Sequence, residues 1–248
     1  MLQDNGRDDL TLSGDGPFTF GATLANGAAY NVTVKTQPGG QTCKVSNASG
    51  TVSSASVTDV AVNCSPGADD FDRPDSGGLG AGWAAMTDGG LAISGGHAVG
   101  TSSNGYSGNF RVAESYGSDQ YSQIVLTSNQ LTTGQWIGPT VRSQNGGLDT
   151  YLGIYFWSDA GPQLDLYKRS GGAWTQLGNS YPVAPLPAGT VLTLVAIGSK
   201  ISFLENGTER ITVTDNSLTG GDPGLMTYGT PGAASWIGDD ATATNPAI

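Results

Sequence analysis

The residues of this chain best suited to chemistry are aromatic and lie close together: Tyr151, Tyr155, Trp157 and Tyr167, with Asp165 among them and Arg142 a short way upstream. Aromatic rings stack on the apolar face of a sugar ring, while a carboxylate and a guanidinium take paired hydroxyls. The set therefore suits a flat, polar, weakly charged ligand, with Arg142 and Asp165 hydrogen-bonding hydroxyls and the four rings stacking. The competing expectation is that loops cover these aromatics and that they are ordinary packing.

Two strands must position them. In TYLGIYFWSDAGPQLDLYK, residues 150 to 168, side chains two apart share a face of a pleated sheet. Leu152, Ile154, Phe156, Leu164 and Leu166 fall on one face. Across a Ser-Asp-Ala-Gly-Pro turn, Tyr151, Tyr155, Trp157, Gln163, Asp165 and Tyr167 fall on the other. Arg142 shares parity with Trp136 and Thr140, which places it on the aromatic and polar face if the strands pair in sequence order.

Composition sets the frame. The chain has 248 residues, 37% hydrophobic and 12% charged with 39 Gly, so short strands and turns dominate and an all-β protein is expected. That length is enough for two cores. A formal net charge of -11, with no basic stripe, argues against a nucleic-acid partner. No apolar run reaches the roughly 20 residues of a membrane helix, so no membrane insertion is expected. The start MLQDNGRDDL lacks the features of a signal peptide, so the chain reads as a monomeric excised fragment of a longer multidomain protein, its Met1 added.

Cys43 and Cys64 are the two cysteines. They read as a disulfide in an extracellular, oxidising setting, or else as two buried thiols. Asp70 and Asp72, following Asp69, open the second part of the chain, and Asp239 and Asp240 close it. If the first and last strands are neighbours, these carboxylates could hold a structural calcium ion, which wants six to eight oxygens; the alternative is a solvated acidic linker.

Catalysis finds less support. Glycoside hydrolysis uses two carboxylates about 5 to 10 Å apart, and the three Glu residues, Glu114, Glu205 and Glu209, have no suitably spaced partner. His97 is the single histidine, so no Ser-His-Asp triad can be assembled around it. A polysaccharide lyase built on Tyr151, Tyr155 and Arg142 is the remaining enzymatic alternative, and a structural or adhesive module is the other reading.

A seam at Pro66-Gly67-Ala68 divides the chain into residues 1–66 and 67–248. Before it, Leu10 to Leu12, Phe18 to Phe20, Tyr30 to Val34, Thr42 to Val45 and Val57 to Asn63 read as short strands, which suggests a small immunoglobulin-like sandwich. The segments LQDNGRDDLTL, FTFGATLANGAAYNVTVKTQPGGQTCKVSNASGTV and VTDVAVNC resemble a repeat of bacterial secreted and surface proteins. That resemblance implies an Ig-like spacer with one disulfide. After the seam, Asn206-Gly207 is a hairpin signal between Ile201 to Leu204 and Arg210 to Val213, and the strands there suggest a two-sheet jelly roll.

GPTVRSQNGGLDTYLGIYFWSDAGPQLDLYKRSGGAWTQLG, TVLTLVAIGSKISFLENGTERITVTDNSL and GLMTYGTPGAASWIGDD resemble the concanavalin A-like lectin/glucanase superfamily, in its laminin-G-like or carbohydrate-binding branch. The resemblance implies a jelly roll whose concave face binds a glycan or polysaccharide, with structural calcium in some members. The E-x-D-x-x-E strand of its glucanases is absent, so non-catalytic binding is the expected function.

Overall fold

The computed structural model describes residues 1–14, 16–38, 41–127 and 131–241 and divides into two compact units, Met1–Pro66 and Gly67–Ile248. The first unit holds β1 (Leu2–Asp4), β2 (Asp8–Leu10), β3 (Ala29–Val34), β4 (Gln41–Ser46), β5 (Ser49–Thr51) and β6 (Ala61–Asp69), whose last three residues belong to the second unit. One antiparallel sheet runs β2-β1-β3-β5, and β4 pairs with β6. Phe18 to Phe20, expected as a strand, lies outside regular structure.

Leu2, Val32 and Cys43 are the buried apolar residues described in this unit, a thin core for its length. The disulfide between Cys43 and Cys64 joins directly opposed residues of β4 and β6. It therefore links neighbouring strands, whereas the bridge of an antibody domain crosses between sheets. It closes a sequence separation of 21 residues, so its removal should cost the first unit about 3 kcal/mol. The check is calorimetry with and without reductant: the transition of the first unit should fall in temperature and that of the second should stay in place.

The second unit is a sandwich of two antiparallel sheets. The front sheet runs β15 (Ala173–Gln176), β14 (Gly161–Ser170), β13 (Asp149–Ser158), β12 (Trp136–Gln144), β20 (Asp222–Tyr228), β10 (Tyr106–Arg111) and β7 (Trp83–Ala85), with β16 (Tyr181–Pro182) beside β14. The back sheet runs β19 (Thr208–Thr214), β18 (Lys200–Glu205), β17 (Val191–Ile197), β11 (Gln120–Leu126), β21 (Gly232–Asp240) and the end of β6. The hairpin of β8 (Leu91–Ser94) and β9 (His97–Gly100) joins the back sheet through β21. Among the described residues the one helical element is a 3-10 turn at Asn145–Gly147.

Alternation fills the space between the sheets. Ile137, Val141, Tyr151, Tyr155, Leu164, Leu166 and Leu225 of the front sheet meet Ile124, Leu192, Leu194, Ile201, Phe203 and Trp236 of the back sheet in one apolar cluster. Gly153 lies between the two tyrosines on the inward face of β13. A Cβ there would stand 2.4 Å from the Phe203 ring, so the glycine is what admits that ring. The β18–β19 hairpin turns at Asn206 and Gly207, whose φ angles of 47° and 75° are the left-handed pair that this two-residue turn needs.

Candidate functional site

A cavity of about 410 Å³ opens on the face of the front sheet turned away from the back sheet. Its floor is Leu152, Ile154 and Phe156 of β13, and its walls are Tyr106, Trp136, Tyr167, Trp174 and Tyr228. Cross-strand pairing assembles the walls: Tyr228 lies opposite both Tyr106 and Trp136, and Trp136 lies opposite Phe156. The Trp136 ring is tilted against Tyr106 at 5.8 Å, edge-on to Trp174 at 6.1 Å and stacked with Tyr228 at 6.4 Å between centroids. These spacings are those of attractive aromatic pairs.

Polar groups frame the rings. Arg169 lies opposite Trp174 on β15, its guanidinium 5.0 Å from that ring and 5.8 Å from Tyr106. It is ion-paired with Asp88, Nη2 donating to Oδ1 at 3.0 Å. Tyr228 donates its phenol to Asn104. Among the described residues no buried side-chain nitrogen or oxygen lacks a partner. The indole N–H groups of Trp136 and Trp174 and the phenols of Tyr106 and Tyr167, which take no protein partner, therefore stand where solvent reaches them. Burial, and after it the charge of Asp165, holds the pKa of the Tyr167 phenol up, so at neutral pH it is a hydrogen-bond donor.

The six residues expected to bind ligand are divided between the two faces. Tyr167 lines the cavity. Asp165 lies on the same face but is fully buried, its Oδ2 accepting from Gln163 Nε2 at 2.8 Å and its Oδ1 from Gln176 Nε2 at 3.4 Å. It is in no position to meet a ligand, and it orients two carboxamides instead. Tyr151 and Tyr155 lie in the core between the sheets, and Trp157 packs against that core with its ring 6.4 Å from that of Tyr155.

The correction has a physical cause. The turn between β13 and β14 is the two residues Asp159 and Ala160, since Ser158 pairs with Gly161. With that loop an odd residue lies opposite an even one, so Tyr155 faces with Leu164, while Ile154 faces with Asp165. The five-residue turn read from the sequence gives the opposite sharing of faces.

Arg142 departs for a different reason. The register of β12 slips between Val141 and Gln144, and Arg142 takes a left-handed φ of 55° at this bulge. Trp136 lines the cavity, but past the slip the side chain of Arg142 is buried at 1% exposure. There it donates to the carbonyls of Ser118 at 2.7 Å, Leu218 at 2.9 Å and Gly198 at 2.8 Å, with Asp119 at 3.6 Å. It fastens three loops at one end of the sandwich.

The core tyrosines are likewise satisfied. The Tyr151 phenol donates to Asp215 and accepts from the Leu218 amide at 3.2 Å, and the Tyr155 phenol accepts from the Leu186 amide at 3.1 Å. Burial pushes both phenols above their ordinary pKa, and both lie in the core rather than at the cavity. For Asp215, burial alone would raise the pKa. Lys168 Nζ at 2.8 Å, Ser217 and Tyr151 outweigh it and hold the carboxyl well below the usual range. A carboxyl depressed on folding stabilises above its unfolded pKa of about 4 and loses that contribution as pH falls toward the folded value. Asp215→Asn should therefore flatten the loss of stability below about pH 4, read from melting temperatures across an acid series.

The four carboxylates expected to hold calcium do not fit that ion. Asp70 Oδ1 accepts from the Asp72 amide at 3.1 Å, Asp239 Oδ1 from the Asp240 amide at 2.8 Å and Asp240 Oδ1 from the Gly117 amide at 2.7 Å. Asp69 is held by Arg73 at 2.6 Å and by the Trp83 indole at 2.7 Å. Among the described residues no three His, Cys, Asp or Glu converge.

Solved structures share the fold. The carbohydrate-binding module CBM66 from Bacillus subtilis superimposes with a TM-score of 0.51 at 19% identity, covering 64% of this chain and 92% of that one. That share exceeds what Met1–Pro66 could supply. The second unit has a lectin-like jelly-roll fold. A Bacillus subtilis protein described as having a galectin-like fold matches at a TM-score of 0.50 and 11% identity, over 64% of this chain and 90% of that one. The xylan beta-1,4-xylosidase of Bacillus halodurans matches at 0.50 and 14% identity over 71% of this chain, and this chain spans 39% of that enzyme. No protein-family model and no curated sequence matches the chain.

Proposed function

We propose that the jelly roll is a non-catalytic carbohydrate-binding domain whose ligand seats in the aromatic cavity of the front sheet. The observation that carries the proposal is the cavity itself: five aromatic walls over an apolar floor, with indole and phenol donors open to solvent at its edges. Ring faces take the C–H surface of a saccharide, and the donors take its hydroxyls. The residues lining the cavity include no carboxylate, so a two-carboxylate hydrolysis has no groups to work with there. The fold shared with the carbohydrate-binding module named above supports a binding role for this scaffold.

The disulfide between Cys43 and Cys64 supports an extracellular, secreted or surface setting, in which the first unit serves as an Ig-like spacer. The test is titration of the intact chain against a panel of polysaccharides by affinity electrophoresis and calorimetry. Saturable binding to at least one, with no release of reducing ends or unsaturated products, is expected. Absence of binding across the panel overturns the proposal.

A further inference from the structure

We propose that the cavity selects uncharged saccharides and rejects their carboxylated or sulfated counterparts; this rests on the carbohydrate reading above. The second unit contains seven basic side chains against sixteen acidic ones. Every one of the seven is already ion-paired. Arg73 pairs with Asp69, Arg111 with Glu114, Arg142 with Asp119 and Lys168 with Asp215. Arg169 pairs with Asp88, Lys200 with Glu209 and Arg210 with Glu205. No lysine or arginine of this unit lies outside the described residues.

Arg169 is the cation that lies against the cavity walls, and four of its five N–H donors are already taken. Besides the two bonds to Asp88, Nη1 reaches the Gly147 carbonyl at 3.3 Å and Nε the Gly172 carbonyl at 3.4 Å, and the side chain is 5% exposed. Asp165 also lies on this face and is fully buried. A ligand carboxylate entering the cavity would leave water for aromatic walls, meet no free cation, and enter the field of an acidic domain. Burying a charge without a partner is costly, whereas neutral hydroxyls meet indole and phenol donors.

The experiment uses one neutral polysaccharide that the protein binds, the same polymer with its primary hydroxyls oxidised to carboxylates, and the methyl ester of the oxidised polymer. We expect binding to the oxidised form to be weaker by about tenfold or more, equivalent to about 1.4 kcal/mol, with the methyl ester restoring most of the loss. Asn104→Lys adds a cation at an exposed position whose carboxamide meets the Tyr228 phenol. It should raise affinity for the oxidised polymer about two- to fivefold, a gain that disappears in roughly 0.5 M salt. Equal or tighter binding of the oxidised form by the unaltered protein, or an ester that binds no better than the acid, overturns charge selection and leaves carbohydrate binding intact. Failure of every polysaccharide, charged or neutral, overturns the carbohydrate reading and this inference with it.

Discussion

Trp136→Ala should weaken polysaccharide binding by roughly thirtyfold, about 2 kcal/mol, the cost typical of truncating a central aromatic contact. Trp136 is the ring that ties the cavity together, standing within 6.4 Å of Tyr106, Trp174 and Tyr228. Its removal takes away a stacking surface and lets three neighbouring rings reorient. Because Trp136 is 9% exposed, part of the loss could arise from destabilisation. Trp174→Ala separates the two effects: it sits half-buried on the edge strand β15, so its truncation should lower affinity in the same direction with little change in melting temperature. Calorimetric titration of both variants, with circular dichroism to confirm folding, gives the answer. Wild-type affinity in both variants would show that the ligand lies elsewhere.

Arg142→Ala should do the opposite, lowering stability and sparing affinity. The substitution leaves the buried Leu218 carbonyl without its donor, while the carbonyls of Ser118 and Gly198, which lie on exposed turns, turn to water. An unsatisfied buried polar group costs about 1–3 kcal/mol. Losing the packing of the buried side chain as well brings the total to about 3 kcal/mol. For a domain of this size the melting temperature should fall by roughly 10 °C. At a temperature where the variant is folded, its affinity for polysaccharide should match that of the parent within about twofold, because Arg142 points away from the cavity. A large loss of affinity in the folded variant would return Arg142 to the binding face.

The contrast between these two residues shows how far the sequence carries. The all-β class, the jelly roll and the Asn206-Gly207 hairpin were legible because composition, alternation and a two-residue turn signal are local properties. Which face of β13 points outward was not. Parity carries across a turn only when the loop length is known, and Ser-Asp-Ala-Gly-Pro can be read as five loop residues or as two with the strands resuming at Gly161. The apolar Leu152, Ile154 and Phe156 look like core, yet they floor an aromatic cavity. Tyr151 and Tyr155 look like a platform, yet they fill the core, because Gly153 between them admits Phe203 from the opposite sheet.

Long-range pairing hid the rest. Tyr106, Trp136 and Tyr228 come from strands far apart in sequence that β20 brings side by side, and nothing in their immediate neighbours announces it. Trp174 was within reach of sequence reasoning. It follows a Gly-Gly turn after β14 and lies opposite Arg169, so extending the hairpin one strand further would have found it.

The interleaving of β13 separates what the protein must keep from what it is free to change. Tyr151, Gly153 and Tyr155 belong to the sandwich, while Leu152, Ile154 and Phe156, one step along the same backbone, belong to the cavity. Exchanging floor residues for others of similar volume alters the shape offered to a ligand without disturbing the interior between the sheets. Ligand preference in such a scaffold can drift over evolutionary time, or be redirected by design, through substitutions at every second position while the fold persists.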